Sequence, residues 1–251
     1  MNKGSGSADY RLQETTIWSF KQRGNWATHR GDYPGNWSPH VPRNVILRYS
    51  KEGELVLDPF VGSGTTTTEA QLLRRHSVGV DINPKAIDTA KSRVIDPAGE
   101  FAPILMVADA RNLPLADESV DLIVAHPPYA DIIQYSRLEH DLSALSLAGF
   151  LESMVLVAQE CHRVLRQGGI CALMLGDIRI NGDIYLLGFE CLSEFTSMGF
   201  RTKDLAIKIQ HNCRSMEKWR QRQPTFLLLA HEYLFVLTKP LPRSLEPRSC
   251  R

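Results

Sequence analysis

The sequence predicts an α/β domain: a mostly parallel sheet with helices on both faces, ending in an antiparallel strand. Three observations carry this expectation. Short apolar, β-branched runs alternate with longer segments of helical period along most of the chain. Glycine, proline and asparagine mark the junctions between them. The last two apolar runs have no helical segment between them, so they read as an antiparallel pair.

The elements follow in order. Residues 55–60 (LVLDPF) are a buried strand, and Thr65–Arg75 opens a helix directly after a glycine loop. Ser77–Ile82 is the second strand. Asn83-Pro84 then starts a helix to about Val94, with Asn as cap and Pro in the first turn. Ile104–Ala110 and Val120–His126 are the third and fourth strands. Leu147–Leu165 has apolar residues at helical spacing, and Gly168-Gly169 is expected to end it. Ile170–Gly176 is a fifth strand and Tyr185–Met198 a helix; Thr202–Gln210 and Glu232–Lys239 complete seven strands.

Composition fits one large domain of 251 residues, 43% hydrophobic and 23% charged. A net charge of +1 leaves any nucleic-acid site to a local patch. The five cysteines have no metal-ligand spacing and suggest reduced thiols in a cytoplasmic protein. No apolar run approaches membrane-spanning length. Residues 1–16 and 241–251 read as flexible ends flanking one domain at 17–240, with a basic loop at about 211–230.

Two short motifs sit where apolar runs end. The first is Asp58-Pro59-Phe60-Val61-Gly62-Ser63-Gly64-Thr65-Thr66. Its glycines allow a sharp turn and close backbone approach to a ligand, and Thr65 begins a helix whose free N–H groups point the same way. No Gly-Lys-Ser/Thr follows, and the third glycine of a dinucleotide loop is replaced by Thr67. Asp81, beside Ile82, lies 19 residues after Gly62 at the end of the second strand, where an acid can accept from ribose hydroxyls. Asp109, beside Ala110, ends the third strand, where a carboxylate can accept from an adenine amine. The second motif is His126-Pro127-Pro128-Tyr129. Consecutive prolines stiffen the backbone and leave the Pro127 carbonyl free to accept. An exocyclic amine is a poor nucleophile, because its lone pair is delocalised into the ring. Acceptors on both N–H bonds favour a tetrahedral nitrogen, and an aromatic at 129 can hold a base by its face.

The chain resembles the amino-methylating DNA methyltransferases. DPFVGSGTT is similar to their cofactor motif and HPPY to their catalytic motif, usually Asp/Asn/Ser-Pro-Pro-Tyr/Phe. Trp37-Ser38-Pro39-His40-Val41-Pro42 resembles the segment these enzymes place at the methionine end of the cofactor, and HEYLFV their closing strand. The resemblance implies a Rossmann-like methyltransferase fold with S-adenosylmethionine as cofactor and no metal. It carries over Asp58, Phe60, Gly62, Gly64, Thr65 and Asp81 as cofactor contacts, with His40, Pro59, Thr66, Ile82, Asp109 and Ala110 alongside. It further implies DNA as partner, its target base flipped out near Tyr129, and methylation of a base amine, N4-cytosine ahead of N6-adenine. Alternatives are methylation of guanine-N2 in RNA, or a catalytically silent nucleic-acid-binding module.

Two departures stand out. His126 replaces the usual Asp, Asn or Ser, and a neutral imidazole can accept one hydrogen bond where an imidazolium cannot. No separate target-recognition domain is evident, which leaves sequence reading to loops or to a restriction or specificity partner. The stretch 18–37 interleaves Trp18, Trp26, Tyr33 and Trp37 with Lys21, Arg23, His29 and Arg30, suiting stacked bases and phosphates. Arg214, Lys218, Trp219, Arg220 and Arg222 form a second basic, aromatic group.

Overall fold

The computed structural model describes residues 10–129, 138, 140–211, 216, 220–222 and 225–242. Ten strands and five α-helices are described. β1 (Ile17–Ser19) precedes α1 (His40–Tyr49), then β2 (Leu55–Asp58), α2 (Thr65–Leu72), β3 (His76–Asp81) and α3 (Pro84–Lys91). β4 (Ile104–Val107), β5 (Val120–Ala125), α4 (Leu147–Val164) and β6 (Leu165–Leu175) follow. β7 (Ile178–Ile180), β8 (Asp183–Tyr185), α5 (Leu187–Ser197), β9 (Arg201–Ile209) and β10 (His231–Thr238) complete the order.

The main sheet has eight strands in the order β1-β9-β10-β6-β5-β2-β3-β4. β10 runs antiparallel to both of its neighbours, β6 and β9, and the other pairings are parallel. The eighth strand, β1, was not expected. It pairs with β9, from Ile17 opposite Ile207 to Ser19 opposite Ile209.

Side chains alternate across the central strands. Leu57, Ile123, Ala125, Cys171, Leu173 and Leu175 join one core with Phe150, Met154 and Val157 of α4 and Leu187, Cys191 and Phe195 of α5. Val56, Leu122, Val124, Ala172 and Met174 face the other way, onto Val41, Val45 and Ile46 of α1 and Ala70 of α2. Burial of both faces explains the near-continuous apolar strands. α2 carries four threonines, poor helix formers. It holds because Thr65 to Ala70 are all buried under this second layer.

Several boundaries differ from expectation. α4 passes directly into β6 at Leu165, so Gly168-Gly169 lie within that strand and do not end the helix. The ladder is irregular there: Val120 pairs with Leu165 but Leu122 with Ile170, and Gly168 adopts φ 76°. Residues 10–16 are not a loose lead-in. The Gln13 N–H donates to Asn44 Oδ1 at 2.8 Å, and the Ile207 N–H donates to the Thr16 carbonyl at 2.7 Å.

Candidate functional site

The parallel strands end on one edge of the sheet, which gathers the site. Asp58 and Asp81 close β2 and β3, Asp109 follows β4, His126 follows β5 and Gly176-Asp177 follow β6. β10 starts at the same edge because it runs the opposite way, which brings Glu232 beside His126. A cavity of about 900 Å³ opens along this edge.

The glycine loop turns through Gly62 (φ 51°) and Gly64 (φ 85°). A side chain at Gly64 would meet the Ala90 backbone at 3.3 Å, so the loop seats tightly on α3. Gly79 has a different role: a Cβ there would lie 2.6 Å from Val61, so its absence lets the loop pack against β3. Asp81 ties the two together. Its Oδ2 accepts from the Gly62 N–H at 3.0 Å and its Oδ1 from the Asn83 N–H at 2.9 Å. Burial raises the Asp81 carboxyl above its ordinary range, and the charge of Asp141 adds to this. Asp58, with its Oδ1 accepting from the Phe60 N–H at 2.9 Å, is pushed up by burial to about 7. Asp109 is differently placed. Burial would raise it, but the Arg111 guanidinium across both its oxygens holds it low.

Asp58, Pro59, Phe60, Gly62, Thr65, Asp81, Ile82, Asp109 and Ala110 line the cavity. Gly64 and Thr66 shape the loop from behind and are not among the lining residues. His40 is not among them either. Its ring stacks on Phe20 at 4.8 Å, its Nδ1 is 3.0 Å from Tyr10 Oη, and Trp26 meets it edge-on. The N-terminal segment instead contributes Tyr33, Asn36 and Trp37, with Thr65 Oγ1 donating to Asn36 Oδ1 at 2.6 Å.

The second motif stands beside the first. His126, Pro127, Pro128 and Tyr129 all line the cavity. Trp37 stacks on His126 at 4.9 Å with planes 17° apart. Tyr129 Oη donates to Glu232 Oε1 at 2.8 Å and lies 3.2 Å from His126 Nε2. Glu232 is only 6% exposed and takes Lys208 Nζ on Oε2 at 2.8 Å. Sequence reading missed Glu232 and Lys208, although a charged residue inside each apolar strand is a signal. They face each other directly across the β9–β10 ladder.

Sheet order distributes the ionisable residues of the site along the edge. Asp58, Asp81 and Asp109 belong to the β2-β3-β4 side, whereas Lys208, His211 and His231 belong to the β9-β10 side, with His126 between. The hairpin β7–β8 adds Arg179, whose guanidinium lies 4.2 Å over Phe226.

Two of the four N-terminal aromatics, Trp18 and Trp26, pack within the fold, whereas Tyr33 and Trp37 line the cavity. Trp18 is buried, and Trp26 Nε1 donates at 2.7 Å to Glu69, which also meets His29 Nε2 at 2.6 Å and Arg43 Nη1 at 2.9 Å. Arg23 lines the cavity but donates to the Trp37 carbonyl at 2.8 Å. Arg30 lies apart from the cavity, grouped with Asp32 and Arg93. Arg220 and Arg222 are exposed, whereas Arg214, Lys218 and Trp219 fall outside the described residues.

Strand order and paired loops define a Rossmann-like methyltransferase fold. A SAM-dependent methyltransferase from Methanosarcina mazei superposes with a TM-score of 0.56 at 17% identity, over 79% of this chain and 98% of that one. Residues 57–128 match a profile described as methyltransferase domain, and residues 5–92 one described as DNA methylase. The Type II methyltransferase M.HpaI of Haemophilus parainfluenzae is 36% identical over 80 residues, 32% of this chain and 26% of that protein. The tRNA (guanine(10)-N2)-dimethyltransferase of Methanothermobacter thermautotrophicus is 38% identical over 98 residues, 39% of this chain and 29% of that protein. The chain thus spans less than a third of the length of these two relatives. Parts of the chain are similar to the DNA methylases and to the methyltransferase domain, and S-adenosylmethionine, the expected cofactor, is the one named in the description of the structurally similar protein. Among the described residues no helix is long and apolar enough to cross a membrane.

Proposed function

We propose that this chain transfers a methyl group from S-adenosylmethionine to an exocyclic base amine in DNA, with N4-cytosine ahead of N6-adenine. The observation that carries this reading is the cavity shared by the glycine loop and the His-Pro-Pro-Tyr loop.

The residues fit the cofactor. Ser63 Oγ is buried in the cavity wall with no hydrogen-bond partner among the described residues. Each Asp81 oxygen accepts one backbone N–H, which leaves lone pairs for the ribose hydroxyls. When bound, the cofactor supplies an electrophilic methyl on a sulfonium. The chain then has to position and activate the amine. The Pro127 carbonyl and the imidazole of His126 accept its two N–H bonds, which draws the nitrogen toward the tetrahedral geometry of the transition state. Tyr129, its hydroxyl anchored on Glu232, offers a ring held in place beside the flipped base. Arg179, His211 and His231 line the part of the cavity where a phosphodiester strand would approach.

A second reading, methylation of a guanine amine in RNA, has a specific support in the tRNA-modifying relative. Incorporation of labelled methyl into DNA and RNA, side by side, tests the proposal. Label in DNA that disappears with His126→Ala supports it. Label in RNA alone favours the second reading, and label in neither overturns both.

A further inference from the structure

We propose that Glu232, acting through Tyr129, fixes the tautomer of His126, with the proton on Nε2 and Nδ1 left as the bare acceptor. The role of that acceptor rests on the methylation reading above; the tautomer itself does not.

The inference follows from counting donors. Glu232 is buried, which alone would raise its carboxyl, but the Lys208 ammonium 2.8 Å from Oε2 keeps it ionised. An ionised carboxylate only accepts. Tyr129 has one O–H, and at 2.8 Å it must be spent on Glu232 Oε1. Its oxygen therefore meets His126 Nε2, 3.2 Å away, as an acceptor, and Nε2 carries the hydrogen. A neutral imidazole protonated there has a bare Nδ1. No described residue hydrogen-bonds to Nδ1, although His126 lines the cavity.

Two further contacts keep the relay in register. Trp37, stacked on the imidazole, restricts its plane. Lys208 gives Glu232 a counter-charge on Oε2, so neutralising the carboxylate does not call for an imidazolium. Because Lys208 and Glu232 are opposed in the β9–β10 ladder, the backbone sets this pair before any substrate arrives. Glu232 is thus a positioning residue. A family position ordinarily filled by Asp, Asn or Ser offers an oxygen acceptor outright. An imidazole offers one only in the right tautomer, and the relay supplies that condition.

The tautomer is read directly by long-range 1H–15N correlation on full-length protein labelled with 15N-histidine, with His126 assigned by its loss in His126→Gln. Spectra are taken well above the usual histidine pKa of about 6.5. Wild type should show Nε2 protonated and Nδ1 bare. Tyr129→Phe and Glu232→Gln each break the relay and should mix the two tautomers, with cofactor affinity retained as the check on folding. A protonated Nδ1 in wild type, an imidazolium at that pH, or wild-type spectra in both variants would overturn the proposal. In a methylation assay Glu232→Gln should lower kcat about tenfold or more with little change in KM for the cofactor; unchanged kcat would also count against it. An inactive wild type with a bare Nδ1 would sink the methylation reading and leave the tautomer standing.

Discussion

Replacing Asp81 with Ala should weaken cofactor binding by about 10- to 150-fold, from a loss of about 1.5–3 kcal/mol for hydrogen bonds to a charged acceptor. The magnitude comes from the acceptor's geometry. A carboxylate has about four lone-pair sites. Two are committed to the Gly62 and Asn83 N–H groups, which leaves the rest for a ribose diol. Ala removes the acceptor and also unties the glycine loop from β3, so the upper end of that range is expected. Asp81→Asn keeps one oxygen but puts an N–H against either Gly62 or Asn83, and should fall between wild type and Ala. Isothermal titration with S-adenosylhomocysteine, which shares the ribose, measures the loss without turnover. His126→Ala, on the far side of the cavity, is the control and should leave affinity alone. Burial raises the Asp81 carboxyl, so its charge is lost at a higher pH than for an ordinary aspartate, and affinity should decline there as pH falls. Affinity of Asp81→Ala within twofold of wild type, with the fold intact, would remove Asp81 from the cofactor site.

Glu69→Ala should leave Arg43 charged and buried without its partner and destabilise the protein by about 3–5 kcal/mol, read as a lower denaturation midpoint; a midpoint within about 0.5 kcal/mol of wild type would show that the cluster contributes little. Asp58 is raised from an unfolded value near 3.8 to about 7. The folded chain therefore holds a proton that the unfolded chain gives up, and stability from this group falls as pH rises through that window. Asp58→Asn should remove this fall, and parallel pH profiles of cofactor-free wild type and variant would contradict it. Neutralising Lys218, Arg220 and Arg222 together should reduce the slope of log affinity against log salt for duplex DNA by up to about 2.7; an unaltered slope would mean these residues do not meet phosphates.

The central strands were legible because they are buried on both faces and so read as unbroken β-branched runs. β2, β3, β5 and β10 fall within a residue or two of their expected ends, and so does the largely exposed β9. The N-cap of α3 was equally plain, with Asn83 Oδ1 accepting from the Lys85 N–H. α1 was missed because Pro42 and three β-branched residues argue against a helix. Pro42 stands in the first turn, where its missing N–H costs nothing, and Val41, Val45 and Ile46 form the buried stripe. The hairpin β7–β8 did leave a signal, the Asn181-Gly182 turn between isoleucines, with φ 53° and 97°. β1 had none, since three residues acquire strand character only by pairing with β9 far along the chain. The site divides the same way. Both motifs were readable because each is contiguous, whereas Glu232 and Lys208 become partners only through strand pairing. Asp109 and His40 show the converse: each is taken up by a neighbour, Arg111 and Tyr10, that motif matching does not weigh.

The central claim is a methyl group placed on a base amine, and nucleoside mass spectrometry tests it most directly. DNA and RNA are incubated with the protein and isotopically labelled S-adenosylmethionine, digested, and resolved as nucleosides. Label is expected in N4-methylcytosine or N6-methyladenine from DNA and is lost in His126→Ala. Label confined to guanine-N2 in RNA, or cofactor binding with no labelled nucleoside, would contradict it.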